Sequence, residues 1–120
     1  MSNGCGVGKD ISTINCQKGE AIYVFEGWMD FLSYLTLHDL KDFKNSALIL
    51  HSTALRKRVV NLIKVNSIKR ANLFLDNDQT GLDAVEYFKH TLSDIQIFDR
   101  SHLYKPAKDL NERLMTTKML

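Results

Sequence analysis

Apolar and polar residues follow one another in blocks that switch between the spacing of strands and the spacing of helices. Four short blocks are almost continuously apolar, as in strands buried on both faces of a sheet: residues 21–25, 47–50, 71–75 and 95–98. Apolar residues at helical spacing follow each block and predict helices over residues 28–40, 55–63, 82–92 and 110–114. This alternation predicts an α/β, Rossmann-like fold with a mainly parallel four-stranded sheet flanked by helices.

The chain divides into a short lead-in and one domain. Residues 1–19 are rich in Gly, Ser and Asn without clear periodicity, so we expect a lead-in or linker, and the chain as a fragment of a longer protein. Residues 20–120 carry the whole strand and helix pattern and form the expected domain. The single proline, Pro106, lies outside every predicted strand and helix, which supports the boundaries.

Charge and composition narrow the function classes. The 16 basic and 14 acidic residues give a net charge of +2, too balanced for nucleic-acid binding by bulk electrostatics, so any such role needs a local site. Cys5 and Cys16 form no CxxC pair and predict reduced thiols rather than a zinc site. Neither a membrane-length apolar run nor a signal peptide is visible, so we expect a cytoplasmic protein without membrane association.

Acidic residues follow three of the four predicted strands. In an open parallel sheet, ligands bind beyond the carboxyl ends of the strands, so the residues that follow the strands are candidates for a ligand site. They include Glu26, Gly27 and Asp30 after the first strand, Asp76, Asn77, Asp78 and Gly81 after the third, and Lys108, Asp109, Asn111 and Glu112 after the fourth. Clustered carboxylates repel one another unless a cation joins them, and magnesium prefers oxygen ligands. Glycines beside carboxylates allow sharp turns and the close approach of a phosphate.

Each acidic residue also has an ordinary structural interpretation. Asp-Asn-Asp before a glycine is common turn chemistry, and Asp109 could serve as a helix N-cap. Asp30 could complement a helix dipole, and Glu26 could be a surface residue. Their convergence on one edge of the sheet favours a divalent-cation site over these separate explanations.

Three motifs in this order resemble the Toprim domain of bacterial DnaG-type primases. Phe25–Asp30 is similar to its EGxxD motif, Leu75–Gly81 to its DxD motif with the trailing glycine, and Lys108–Glu112 to the KDxDE-type motif of primases. The resemblance spans residues 20–114. The stretch Leu50–Thr53 also resembles primase-related proteins of bacterial mobile elements.

The resemblance implies a role for each matching residue. It makes Glu26 the general acid/base or a metal ligand, and Asp76 and Asp78 the metal-binding pair. Asp30 and Asp109 become further acidic residues that hold Mg²⁺ or Mn²⁺. Asn111 stands where primases usually have aspartate, which lowers the negative charge there, although an amide oxygen can still coordinate. Lys108 would contact phosphate or orient Asp109, with Gly27, Gly81 and Glu112 in support.

The function implied by the resemblance is metal-assisted nucleotidyl transfer, as in primer synthesis during DNA replication. The partners would be a DNA template, an RNA primer, nucleotides, and a replicative helicase or other domains of the parent protein. A Toprim nuclease, a topoisomerase fragment, a recombination mediator and an inactive binding module remain alternatives. From another class, a response-regulator receiver domain phosphorylated on Asp76 shares the length and the Lys105-Pro106 step.

Other motifs are weaker. Gly4–Lys9 imitates a P-loop but lacks its first glycine and its Ser or Thr. Adjacent His51 and Ser52 rarely form a nucleophile–base pair, and Ser52 or Thr53 is a better N-cap. The cluster Arg56-Lys57-Arg58 is a candidate phosphate contact or a solvated helix face. Surface positions are expected for His38, His90 and His102.

Overall fold

The chain alternates strands and helices in the order that its hydrophobic pattern predicts. The computed structural model describes residues 12–14, 21–38, 46–52 and 56–118. The strands are β1 (Ser12–Ile14), β2 (Ala21–Phe25), β3 (Ser46–Ile49), β4 (Arg70–Phe74) and β5 (Gln96–Asp99). The helices are α1 (Trp28–Leu37), α2 (Arg56–Val65), α3 (Gln79–Thr91) and α4 (Leu110–Lys118), with a 3-10 turn at Ser101–Tyr104.

The sheet has the strand order β1-β3-β2-β4-β5 within the described residues. Strands β2 to β5 are parallel, with Ile22 opposite Ser46 on one side of β2 and Ala71 on the other. The predicted mainly parallel α/β sheet is therefore confirmed. Because β2 lies between β3 and β4, the residues that follow these three strands emerge side by side at one edge, called here the carboxyl edge.

The lead-in segment contributes a strand that the sequence pattern did not predict. Strand β1 pairs antiparallel with β3, and Ser12 lies opposite Ile49. The three residues Ser-Thr-Ile are too few to show a period, and their pairing depends on an edge that other parts of the chain create. This part of the predicted linker thus belongs to the sheet, while the division at residue 20 stays a prediction.

Element boundaries differ from the predicted ones by small amounts. Strands β3 and β4 begin and end one residue earlier than predicted, and β5 one residue later. Helix α1 ends at Leu37 rather than at residue 40, and the predicted start of α2 at residue 55 lies outside the described residues. In the described part of the chain, none of the helices is long and apolar enough to cross a bilayer.

Alternate residues of the strands point to opposite faces of the sheet and belong to two separate hydrophobic cores. On one face, Val24 and Leu73 pack with α2 and α3 through Val59 and Phe88. On the other face, where α1 and α4 lie, the buried residues are Phe25, Phe31, Ala47, Ile49, Phe74, Tyr104 and Leu110. Full burial of such side chains stabilises the fold by about 1.5–3 kcal/mol each. Both faces of the sheet are covered, so the carboxyl edge is left as the place for a ligand.

An aromatic cluster fixes α1 on the sheet. The Phe25 ring stacks on Phe74 with centroids 5.0 Å apart and meets the edge of Phe31 at 5.5 Å. Tyr34 packs against both Phe25 and Phe74, at 5.5 and 5.3 Å. Since Phe31 and Tyr34 are on α1, these contacts set the position of its first turn, which carries Asp30.

Candidate metal centre

Neighbouring strands bring Glu26 and Asp76 together at the carboxyl edge. Glu26 follows β2 and Asp76 comes shortly after β4. The backbone N–H of Asp76 donates to Oε1 of Glu26 at 3.1 Å, which holds the glutamate on the β4 side. On the other side of β2, the N–H of His51 donates to the carbonyl of Glu26 at 2.7 Å. Glu26 is therefore fixed at the middle of the edge, as its position after the central strand predicts.

Three aspartates from distant parts of the sequence meet beside Glu26. Asp30 in the first turn of α1, Asp76 after β4 and Asp109 before α4 each offer a carboxylate oxygen, and these oxygens lie within 4.8 Å of one another. Asp30 is almost fully buried, with 7% of its surface exposed. A cluster of hard oxygen donors at this spacing matches the ligand preference of Mg²⁺ and Mn²⁺.

The electrostatics of the cluster favour a cation. Burial, followed by repulsion from Glu26 and Asp30, raises the pKa of Asp76 to about 7. Burial and the charge of Asp109 raise the pKa of Asp30 to about 6. Burial also raises the pKa of Glu26 above its usual range, although the Asp76 N–H acts against this. Negative charge is thus costly here, and a divalent cation would compensate for it.

Helix α4, which begins directly after Asp109, also holds Asp30 in place. The backbone N–H of Asn111 donates to Oδ1 of Asp30 at 3.2 Å. The buried hydroxyl of Ser33 donates to Oδ1 of Asn111 at 3.3 Å. The amide oxygen expected as a weak metal ligand therefore joins α4 to α1, which gives Asn111 a positioning role.

Asn77 attaches the loop before α4 to the end of β4. Its N–H donates to the carbonyl of Lys108 at 2.6 Å. Its side-chain amide donates to the carbonyls of Ser101 at 3.1 Å and Ala107 at 3.0 Å. The middle residue of the Asp-Asn-Asp motif thus brings the Lys108–Glu112 motif to the site.

Tyr104 makes a second attachment of the same loop. Its side chain is buried, and its hydroxyl donates to the carbonyl of Leu75. Sequence reasoning missed Tyr104, Asn77 and Ser33 as supports of the site. Each is a polar side chain close to a motif in the sequence. Its hydrogen-bond partner lies far away in the sequence, so no local pattern identifies the contact.

Two of the predicted site residues are helix caps. Asp78 is the N-cap of α3, and its Oδ1 accepts from the N–H of Gly81 at 2.8 Å. Asp109 accepts from the N–H of Glu112 at 2.8 Å, and the Glu112 carboxylate accepts from the N–H of Lys108 at 2.5 Å. The cap does not separate Asp109 from the trio of Asp30, Asp76 and Asp109, and its role as a metal ligand stays a prediction.

Asp78 lies outside that trio but close to its rim. Its Oδ2 is 3.7 Å from Nζ of Lys108, and the same Nζ is 4.0 Å from Oδ2 of Asp76. The Lys108 side chain is 58% exposed. Lys108 therefore lies close to both aspartates of the DxD motif while it remains open to solvent, and the phosphate contact stays a prediction.

The two glycines of the motifs differ in their roles. A Cβ on Gly81 would lie 1.9 Å from the carbonyl oxygen of Asp76, so α3 can begin this close to β4 only with glycine. Packing of the protein's own backbone therefore requires glycine here, and the expected approach of a phosphate stays a prediction. Gly27 has an extended backbone, and a Cβ there would meet Asp30 Oδ2 at an ordinary 3.8 Å. Its conformation therefore does not require glycine.

The basic cluster Arg56-Lys57-Arg58 lies at the start of α2. The Arg56 guanidinium stacks over the Tyr87 ring at 4.7 Å, while Lys57 and Arg58 are exposed. His38, His90 and His102 are exposed as expected. The P-loop imitation at residues 4–9, both cysteines and Thr53 lie outside the described residues.

The order of motifs, the parallel sheet and the acidic edge match a known family. The profile of the Toprim-like family aligns with residues 23–114. The chain belongs to the Toprim-like family. This assignment excludes the receiver-domain interpretation, in which Asp76 would be phosphorylated. None of the curated protein sequences gives a significant match.

Solved structures of a phage primase share the fold of this Toprim-like chain. The primase fragment of the bacteriophage T7 primase-helicase matches with a TM-score of 0.58 and 24% identity, over 83% of this chain and 40% of that one. T7 primase domains, solved with the lagging-strand DNA polymerase, an RNA/DNA hybrid and dTTP, match with a TM-score of 0.62 and 22% identity, over 86% and 51%. The chain thus spans about half or less of the primase chains it matches.

Proposed function

We propose that this chain is the catalytic domain of a primase-like enzyme that transfers nucleotidyl groups with Mg²⁺ or Mn²⁺. The observation that carries the proposal is the meeting of Asp30, Asp76 and Asp109 beside Glu26 at the carboxyl edge. Membership of the Toprim-like family supports nucleic acid as the substrate class. The primase neighbours show a likeness of fold and supply the expectation that the reaction is primer synthesis.

The donor set fits a hard divalent cation. Asp30, Asp76 and Asp109 would hold it, and Asp78 would join through Oδ2, the oxygen that does not cap α3. When bound, such a cation neutralises phosphate charge and makes an attacking hydroxyl more acidic. The hydrogen bond from Asn111 to Asp30 and the cap at Asp109 hold two of these carboxylates in place. These two side chains would therefore lose little conformational freedom when a cation binds.

Glu26 is our candidate for the group that handles a proton. One of its oxygens is occupied by the Asp76 N–H, which fixes the carboxylate. Burial raises its pKa above the usual range, and a base whose pKa lies closer to neutrality is better matched to proton transfer at physiological pH. We assign Glu26 the removal of a proton from the attacking hydroxyl.

Lys108 and the start of α2 are our candidates for phosphate binding. The Lys108 ammonium is held between Asp76 and Asp78 at 4.0 and 3.7 Å, beside the place where a metal-bound phosphate would lie. Lys57 and Arg58 add exposed positive charge at the start of α2. Contacts of this kind bind the backbone of nucleic acid without reading its sequence.

Partners and location follow from the proposed reaction. We assign a DNA template, an RNA primer and nucleotides as ligands, and a replicative helicase or other domains of a longer protein as partners. One of the T7 structures holds a polymerase and an RNA/DNA hybrid, and the other comes from a primase-helicase. Replication of a bacterial mobile element in the cytoplasm is the setting that we propose.

Paramagnetic broadening by Mn²⁺ in NMR spectra tests the metal site. We expect the amide signals of residues 76–81 and those next to Asp30 and Asp109 to broaden first. Asp109→Asn should weaken the effect while it keeps the cap, and the exposed Asp94→Asn should leave it unchanged. Broadening centred elsewhere, with residues 76–81 sharp, would show that the site is wrong.

The reaction is tested by incubating the protein with template, labelled nucleotides and Mg²⁺. Formation of short RNA products that depend on Glu26 and Asp76 supports the primase-like assignment. Metal-dependent cleavage of DNA without nucleotide incorporation would instead support a Toprim nuclease or topoisomerase. A longer protein that contains this domain is the preferred material, since the matched primase chains are about twice as long as this one.

A further inference from the structure

Trp28 is a large aromatic side chain left partly exposed beside the candidate site. It is the only tryptophan of the sequence, it opens α1, and 42% of its surface is exposed. Its ring system and that of Phe31 form an edge-to-face pair, with centroids 6.0 Å apart and planes at 74°. Phe31 is buried in the core, so the indole has a rigid support on one side.

Trp28 lies near His51 at the carboxyl edge. The two rings lie 6.2 Å apart, and His51 follows β3, the strand on the opposite side of β2 from β4. His51 adopts a positive φ of 68°, a conformation uncommon outside glycine, and its N–H binds the Glu26 carbonyl. The carboxylates therefore lie on one side of Glu26, and the indole and imidazole lie on the other.

Positive charge follows β3 in the chain, at the start of α2. Helix α2 begins with Arg56, Lys57 and Arg58 a few residues after His51, and its first turn has no acidic residue. Cations at a helix N-terminus oppose the helix dipole, so helix stability does not explain them. An exposed aromatic face after β2, together with cations that follow β3, suits single-stranded nucleic acid, whose bases stack while its phosphates pair with Lys and Arg.

We propose that Trp28 stacks on a base of a single-stranded polynucleotide whose phosphate lies at the aspartate trio. The inference rests on the proposed function and deepens it by naming a contact to the base. Trp28 acts as a positioning residue: it holds the strand so that the neighbouring phosphate reaches the carboxylates next to Glu26. The contact is independent of base identity, because every base has a π face.

Fluorescence and binding measurements test this contact, because emission from tryptophan reports Trp28 alone. A short oligothymidylate in Mg²⁺ should change the emission, whereas an abasic strand of the same length should not. Anisotropy of the labelled oligonucleotide gives the affinity. Trp28→Leu should weaken binding by about 5- to 150-fold, the range that corresponds to the loss of one stacked base. Trp28→Phe should retain most of the affinity.

Matched controls separate stacking from general loss of apolar surface. Met29→Ala removes a neighbouring side chain that is 58% exposed, and it should bind as the wild type does. Trp28→Leu and the wild type should bind the abasic strand equally, because only phosphates remain to be held. Circular dichroism confirms that each variant is folded.

Two results overturn the inference in distinguishable ways. If Trp28→Leu binds oligothymidylate as tightly as the wild type while Asp76→Asn weakens Mg²⁺-dependent binding, the stacking contact is wrong and the proposed function stands. If wild-type binding responds neither to Mg²⁺ nor to Asp76→Asn, the proposed function and the stacking contact both fail.

Discussion

Replacing Asp76 by asparagine tests whether its carboxylate stabilises the fold or destabilises it when no cation is bound. Burial and four neighbouring carboxylates raise the pKa of Asp76 from 3.8 to about 7, which corresponds to an unfavourable charged state of about 4 kcal/mol at most. The Lys108 ammonium, 4.0 Å away, and screening by water reduce this figure. We expect Asp76→Asn to stabilise the protein by about 1–2 kcal/mol at pH 8 in chelator.

The pH dependence of this gain follows from the direction of the shift. The folded-state pKa lies above the unfolded value, so protonation of Asp76 stabilises the fold fully below about pH 4, and this contribution is lost as the pH rises through about 7. Asp30, with a pKa of about 6, acts in the same direction. In chelator, the advantage of Asp76→Asn should therefore shrink between pH 8 and pH 5.

Urea unfolding in chelator and in Mg²⁺ provides the measurement. Magnesium should stabilise the wild type by binding only the folded state, and this gain should be largely lost in Asp76→Asn. Asp94→Asn, an exposed carboxylate in the turn before β5, is the matched control. If Asp76→Asn were less stable than the wild type at pH 8 in chelator, the carboxylate would be a support of the fold and our electrostatic reasoning would be refuted.

Three further substitutions test the local supports by urea unfolding. Gly81→Ala places a Cβ 1.9 Å from the Asp76 carbonyl oxygen and should cost about 3 kcal/mol; a neutral result would show that α3 can shift. Asp78→Ala should cost about 0.5–2 kcal/mol through the lost cap, whereas Asp78→Asn should cost little. Tyr104→Phe leaves the Leu75 carbonyl without its donor and should cost about 1–3 kcal/mol; equal stability would mean that water replaces the hydroxyl.

The parallel sheet could be predicted because its strands are buried on both faces and therefore read as continuous apolar runs. The position of Asp76 after β4 followed directly from that pattern, as did Glu26 after β2. Strand β1 could not be predicted, because three residues at a sheet edge take their conformation from pairing with β3.

The acidic edge could be predicted, but not which oxygens meet there. The resemblance made Asp76 and Asp78 the metal-binding pair, with Asp30 and Asp109 as further acidic residues; in the structure, carboxylate oxygens of Asp76, Asp30 and Asp109 lie within 4.8 Å of one another. The difference arises because Asp78 turns one oxygen to the N-terminus of α3, and because α4 docks against α1 through Asn111 and Ser33. Side-chain direction and helix docking depend on tertiary contacts that no local pattern records.

Apart from Tyr104, the loop that precedes α4 is held through its backbone carbonyls. Asn77 binds the carbonyls of Ser101, Ala107 and Lys108, and these groups are present whatever residues stand there. The path of the loop therefore depends little on most of its side chains. Substitutions at exposed positions such as Lys105 can accumulate without moving Asp109, so relatives of this protein can diverge in this segment and still build the same site.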